Sequence, residues 1–191
     1  MRRSAVAIAT AALIASAASA STAPAIGRDS IAGAKVGLRA AAYKRLLGKP
    51  VRKDFLQQPS GWWRLVFARR KVAVYFKPGA RRAAVVTTWN PAYKTAKAIG
   101  PCSTIEDLKT AYRDELKASP PNTLNDHDSD PTNDRVYAYT VGKLIFGANG
   151  QPGPSKHVTA VGLYSGLPGP EQGGALAYAG FVTLALNEAA C

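Results

Sequence analysis

Apolar side chains return every three or four residues at Val36, Ala40, Tyr43 and Leu47, and Gly48 and Pro50 close the run. That spacing predicts one buried face of a short helix, ended by a glycine and a proline that cannot continue the ladder. The pattern then comes back. Residues 37–47 realign on 102–112, a shift of 65 positions (37 to 102), with Ile105, Leu108 and Tyr112 forming the second buried stripe. Ser103, with Glu106 three residues on, has the spacing of a capping box that satisfies two free amides at a helix start. Pro120 and Pro121 end this second helix.

Behind each helix the period changes from about four to two. Runs at 62–67, 72–76 and 84–89 have strand character and are separated by the basic turn Arg69-Arg70-Lys71 and by Pro78-Gly79. Such short connections suit adjacent antiparallel strands. The second half repeats the order with runs at 135–140, 143–146 and 158–164, broken by Gly142 and by the Gly/Pro-rich residues 147–154. A last run at 177–186 reads as a closing strand, with a C-terminal helix as the alternative. The expected class is α+β: two tandem units, each a short helical segment packed on a small antiparallel sheet. Residues 28–92 form the first and 93–191 the second. Either alone would bury little apolar surface, whereas two can share a core.

Strand alternation sorts side chains onto faces. With Val72, Val74 and Phe76 inward, Lys71, Ala73, Tyr75 and Lys77 point away; the neighbouring run opposes Trp63, Leu65 and Phe67 to Trp62, Arg64 and Val66. If that second face is open, Trp62, Arg64, Lys71, Tyr75 and Lys77 form a platform of aromatic and cationic anchors suited to a partner. The alternatives are that the face is covered as well, or that the lysines protect an edge strand.

Charge sharpens this reading. Between Arg28 and Lys97 there are 17 Lys or Arg against two acids, and from Ala98 onward 6 against 10. The first half therefore makes a positive field, with Arg69, Arg70, Arg81 and Arg82 as its basic patch, which suits an anionic partner; the alternative reading is that these basic residues solvate the surface of an exported protein. The expected partner is an extracytoplasmic protein or an anionic envelope polymer rather than nucleic acid, because residues 1–20 read as a secretory signal. Arg2 and Arg3 begin it, an Ala-rich apolar stretch follows, and Ala18-Ser19-Ala20 marks cleavage, with a flexible leader at 21–27. No cysteine follows the cleavage site to carry a lipid anchor, and no later run reaches the ~20 apolar residues of a membrane span. The expected location is secreted or within a bacterial cell envelope. There, a disulfide between Cys102 and Cys191 is the simplest use of two thiols. The alternative is a nucleophilic Cys102 activated at a helix start.

Catalytic patterns are sparse, and no enzyme activity or cofactor is expected. Gly162-Leu163-Tyr164-Ser165-Gly166 misses the nucleophile-elbow spacing by one, and His127 and His157 stand in no ligand motif. Asp126, Asp128 and Asp130 alternate like the first half of a calcium loop, but Pro131 replaces the required glycine and Tyr137 the bidentate glutamate. This leaves a calcium site and a solvated acidic loop as the two readings.

Val36-Gly37, Tyr43 six residues after the glycine, and Leu47-Gly48-Lys49-Pro50 together resemble the signature of the β-lactamase-inhibitor-protein-like fold and the related small outer-membrane-assembly lipoproteins. The second copy keeps the spacing through Leu108 and Tyr112, but has Cys102 in the glycine position and lacks the Leu-Gly-x-Pro ending. The resemblance spans roughly residues 28–165. It implies that the two sheets join into one concave surface, which in the inhibitor relatives grips a protein and in the envelope relatives scaffolds an assembly. Fold alone does not carry function. The leading expectation is thus a non-enzymatic exported binding module; a polymer or membrane-surface binder without protein specificity comes second and a secreted hydrolase last.

Overall fold

A computed structural model describes residues 25–56, 61–118, 122–123, 135–149, 156–165 and 191. The signal, most of the leader, the acidic positions Asp126, Asp128 and Asp130, and the closing run at 177–186 lie outside the described residues. The chain enters through a small hairpin, β1 (Ser30–Ile31) with β2 (Ala34–Lys35), and passes into helix α1 (Ala40–Leu47). Four strands follow: β3 (Arg52–Phe55), β4 (Trp63–Phe67), β5 (Val72–Phe76) and β6 (Ala83–Thr88). Helix α2 (Ile105–Tyr112) opens the second half, which continues through β7 (Lys117–Ala118), β8 (Asn122–Thr123), β9 (Arg135–Val141), β10 (Leu144–Asn149) and β11 (Ala160–Tyr164).

All the described strands after α1 join one antiparallel sheet in the order β3-β4-β5-β6-β11-β10-β9-β7, with β8 paired to β9 off this path. Each half is a meander, and the two meet along β6 and β11 through the register Val161↔Thr88 to Tyr164↔Val85. The fold is therefore α+β, as expected, with two helices among the described residues. β3 and the short β7 and β8 add to the strands read from the sequence. β3 escapes a period-two search because Arg52-Lys53-Asp54 is polar on both faces, as an edge strand can be.

The two halves correspond position by position around their helices. α1 and α2 start and end 65 positions apart (Ala40 and Ile105, Leu47 and Tyr112). Ahead of α1, Gly37 N–H donates to the Ala83 carbonyl (2.9 Å) and Ala83 N–H to that of Leu38 (3.0 Å). Ahead of α2, Cys102 N–H donates to Val158 (2.7 Å) and Val158 N–H to Ser103 (2.8 Å). The residue before each helix bridges the approach to the last described strand of its half, Arg39 with Arg82 and Thr104 with His157.

That frame moves the cap of α2 by one residue from its expected place. Thr104 Oγ1 accepts from Asp107 N–H (3.0 Å) and Asp107 Oδ2 accepts from Thr104 N–H (3.2 Å), closing the box. Ser103 is instead buried, its Oγ accepting from Gly100 N–H (3.1 Å) and from Lys94 Nζ (3.2 Å). Both pairs have the right spacing in sequence. The tie from Ile105 N–H to the Lys156 carbonyl (2.8 Å) sets which one starts the helix.

Both helices cover one face of the sheet. Tyr43 and Leu47 from α1, and Ile105, Leu108 and Tyr112 from α2, pack with Leu65, Phe67, Val74, Phe76, Phe146 and Leu163. Trp63 stacks flat on Phe76 (3.9 Å between centroids), while Tyr43 meets the same ring edge-on (6.2 Å) and donates its hydroxyl hydrogen to the Lys35 carbonyl. Among the described residues no helix is long and apolar enough to cross a membrane.

Candidate functional site

Strand alternation places Trp62, Arg64, Val66, Ala73 and Tyr75 together on the face opposite the helices, as the sequence predicts. The face is not an open platform. Tyr75 is 0% exposed, and Val66, Ala73, Val85, Trp89, Ala138, Ile145 and Ala160 are buried with it in a second apolar cluster on this face of the sheet. Trp62, Arg64 and Lys71 are half-buried, and only Lys77 of the five expected anchors is exposed. The reason is legible in β5 and β6: Val-Ala-Val-Tyr-Phe and Ala-Ala-Val-Val-Thr-Thr carry no charge in either phase, the mark of strands covered on both sides. Alternation identifies the residues that share a face, but not whether that face meets water.

Arg64 is instead part of a polar row across the first half. It stands opposite both Asp54 and Tyr75 in register, and its Nε lies 2.9 Å from Asp54 Oδ2, which also pairs with Arg52 Nε at 2.7 Å. Burial opposes the Arg64 charge, but Tyr75 and Asp54 outweigh it and raise its pKa. Burial pushes the Tyr75 phenol up as well. The row has an internal partner for its cation and so behaves as structure more than as a binding anchor.

The four arginines of the basic patch are all exposed, yet they fall into two groups. Arg69 and Arg70 occupy a single 3₁₀ turn between β4 and β5, and Arg81 and Arg82 the connection between β5 and β6. These connections lie at opposite ends of β5, whose five residues span about 17 Å. Arg82 Nη1 donates to the Gly37 carbonyl (2.9 Å), which brings it beside the start of α1 and Arg39.

A cleft of about 620 Å³ that the sequence did not announce opens on the helix side, between residues 26–29, 95–97, the end of α2 and the β9–β10 turn. Ile26, Tyr112 and Leu144 contribute buried apolar surface to it, and its charges are largely paired: Lys97 with Glu115 (2.8 Å) and Lys143 with Asp29 (3.5 Å). Lys97 also lies 4.6 Å from the Tyr112 ring centroid, and its hydrogen bond and charge hold the Glu115 carboxyl below the ordinary range. Four segments far apart in the chain make this cleft, so no motif could reveal it.

Cys102 and Cys191 are joined in a disulfide with their Cα atoms 5.3 Å apart, which removes Cys102 as a free nucleophile. His157 is exposed at the bridge to Thr104. Among the described residues no three His, Cys, Asp or Glu side chains converge on a possible metal position. Comparison with family models, with curated proteins and with solved structures finds no match to this chain.

Proposed function

We propose that the chain is an exported, non-enzymatic binding module built from two copies of one helix-and-meander unit, whose basic half holds an anionic partner outside the cytoplasm. The 65-residue offset, the matched backbone bonds at 37–38 and 102–103 and the mirrored strand order support the duplication, and with it the resemblance to the inhibitor-like fold. The disulfide and the signal-like first 20 residues support export, since oxidising compartments preserve such bonds.

The observation that carries the binding reading is the exposed set of arginines on both ends of the first meander, against a second half in which acids outnumber bases. With Tyr75 buried, contact falls to the turns and edges of this half rather than to its second face. Polyphosphate, a polyanion with the phosphate chemistry of envelope polymers, is the direct probe. Binding should weaken roughly tenfold or more between low and physiological salt, and fall similarly when Arg69, Arg70, Arg81 and Arg82 are changed to Gln. Absence of saturable binding at low salt, or binding indifferent to the four substitutions, would overturn the proposal.

A further inference from the structure

We infer that the outer edge of β3 accepts one more strand, an extended acidic segment of a protein partner that lengthens the sheet. This deepens the reading above and rests on it, giving the anionic partner a place and a backbone.

The first ground is the ladder. Among the described residues β3 pairs with β4 alone and begins the strand order, and its side chains are largely exposed. Leu56 N–H donates to the Trp62 carbonyl (2.8 Å), and bonding alternates along an antiparallel pair. Asp54 and Arg52 therefore turn their main-chain groups toward β4, while Lys53 and Phe55 turn theirs outward, where an added strand would find donors and acceptors in phase. The opposite end of the sheet differs: β7 is two residues long, too short for a comparable ladder.

The second ground is where apolar surface remains uncovered. Among the described residues the exposed large apolar side chains are Leu46 (44%), Val51 (65%) and Phe55 (72%), all within ten residues of chain, with Val51 just before β3 and Phe55 its last residue. Leu46 belongs to the last turn of α1, but Val51 and Phe55 leave apolar surface beside an edge that no described strand pairs with, and this points to an interaction surface.

Charge selects the visitor. Lys53 Nζ lies 5.2 Å from the Phe55 ring and 5.0 Å from the Trp63 ring, which keeps the ammonium near the edge while its stem covers aromatic surface. Arg52 stays half exposed, and the single acid on the strand, Asp54, already has its Oδ2 held by Arg52 and Arg64. An incoming strand meets cations and an exposed phenyl ring, and carboxylates alternating with apolar side chains complement both.

The test titrates the full chain with an acetylated hexapeptide alternating Glu and Val, and with a Lys–Val hexapeptide as the control of opposite sign, following amide shifts and hydrogen exchange. Saturable binding of the Glu–Val peptide is expected, with new protection at the Lys53 and Phe55 amides. Lys53→Pro removes one outward donor and should weaken binding roughly tenfold. Phe55→Ala keeps every donor and should weaken it by a similar factor through lost apolar contact, which guards against a folding defect in the proline variant. The inference is overturned if the Lys–Val peptide binds equally well, if both variants bind like the parent, or if sedimentation shows the edge already filled by a second copy in a dimer that Lys53→Pro dissociates. If the Glu–Val peptide fails while polyphosphate still binds through the four arginines, the edge inference falls and the wider reading stands; failure of both probes removes both.

Discussion

Gly37 and Cys102 occupy the same place ahead of α1 and α2, with φ of +84° and +65°, and each donates its N–H to the carbonyl that leads into the last strand of its half. Glycine takes this conformation freely, whereas a cysteine is strained there by roughly 1–2 kcal/mol. The second half meets the same backbone demand with a residue that can also form a covalent tie, and the strain is offset by the disulfide to Cys191. The helix starts differ too. α2 has a closed box of Thr104 and Asp107, while Arg39 gives α1 no side-chain cap. α1 depends more on packing, with Tyr43 wholly buried against Phe76 and tied to the β1–β2 hairpin. The lesson is that the backbone frame is common to the halves and that its stabilisation is divided differently between them.

The largest expected effect breaks the second half's covalent tie. The bond closes a separation of 89 residues, so reduction should cost about 4–5 kcal/mol in the chain-entropy view, read as a lower urea midpoint in dithiothreitol. Under the same reducing conditions Cys102→Gly should exceed Cys102→Ala by about 1 kcal/mol, because only glycine relieves the left-handed backbone. Equal stability of the two variants would deny the equivalence with Gly37.

The caps sharpen the contrast at a smaller scale. Thr104→Ala should cost about 1 kcal/mol of stability, and Arg39→Ala close to nothing, when both are followed by chemical denaturation. A comparable loss in both would mean that α1 has a cap the geometry does not show.

The smallest effect is absent at neutral pH. Burial raises the Tyr75 phenol pKa, so the neutral phenol's contribution is complete below the ordinary value of about 10 and is lost as pH rises beyond it. The denaturation midpoint should stay level on this account up to about pH 9 and decline above 10. Tyr75→Phe should soften that decline without abolishing it, since Tyr43 and Tyr139 are raised by burial too. An unchanged alkaline limb would indicate that the phenol reaches water and that the second face is open after all.

Much of the local structure was legible because it depends on residues close in the chain. Tyr43, Leu47, Leu108 and Tyr112 repeat at helical spacing and are buried as that spacing requires. Residues 72–76 have the bounds read from their apolar run. The candidate site was less legible. Tyr75 and Arg64 share the face that alternation gives them, but that face continues across the joined sheet to Ala138, Ile145 and Ala160, buried with Tyr75 in one cluster and contributed by a half of the chain that local patterning cannot dock. β3 is not legible in the apolar pattern because an edge strand needs no apolar period.

The sequence by itself determined the two helix faces, the phase of the strands, the 65-residue echo, the concentration of positive charge in the first half and the economy of pairing two cysteines. Only the tertiary structure decided that β6 lies against β11, that the face opposite the helices is buried, that the four arginines separate to opposite ends of β5, and that no other described strand pairs with the outer edge of β3. The physical reason is range: periodicity, capping and charge are properties of neighbours along the chain, whereas covering a face or leaving an edge open depends on which distant segments find each other.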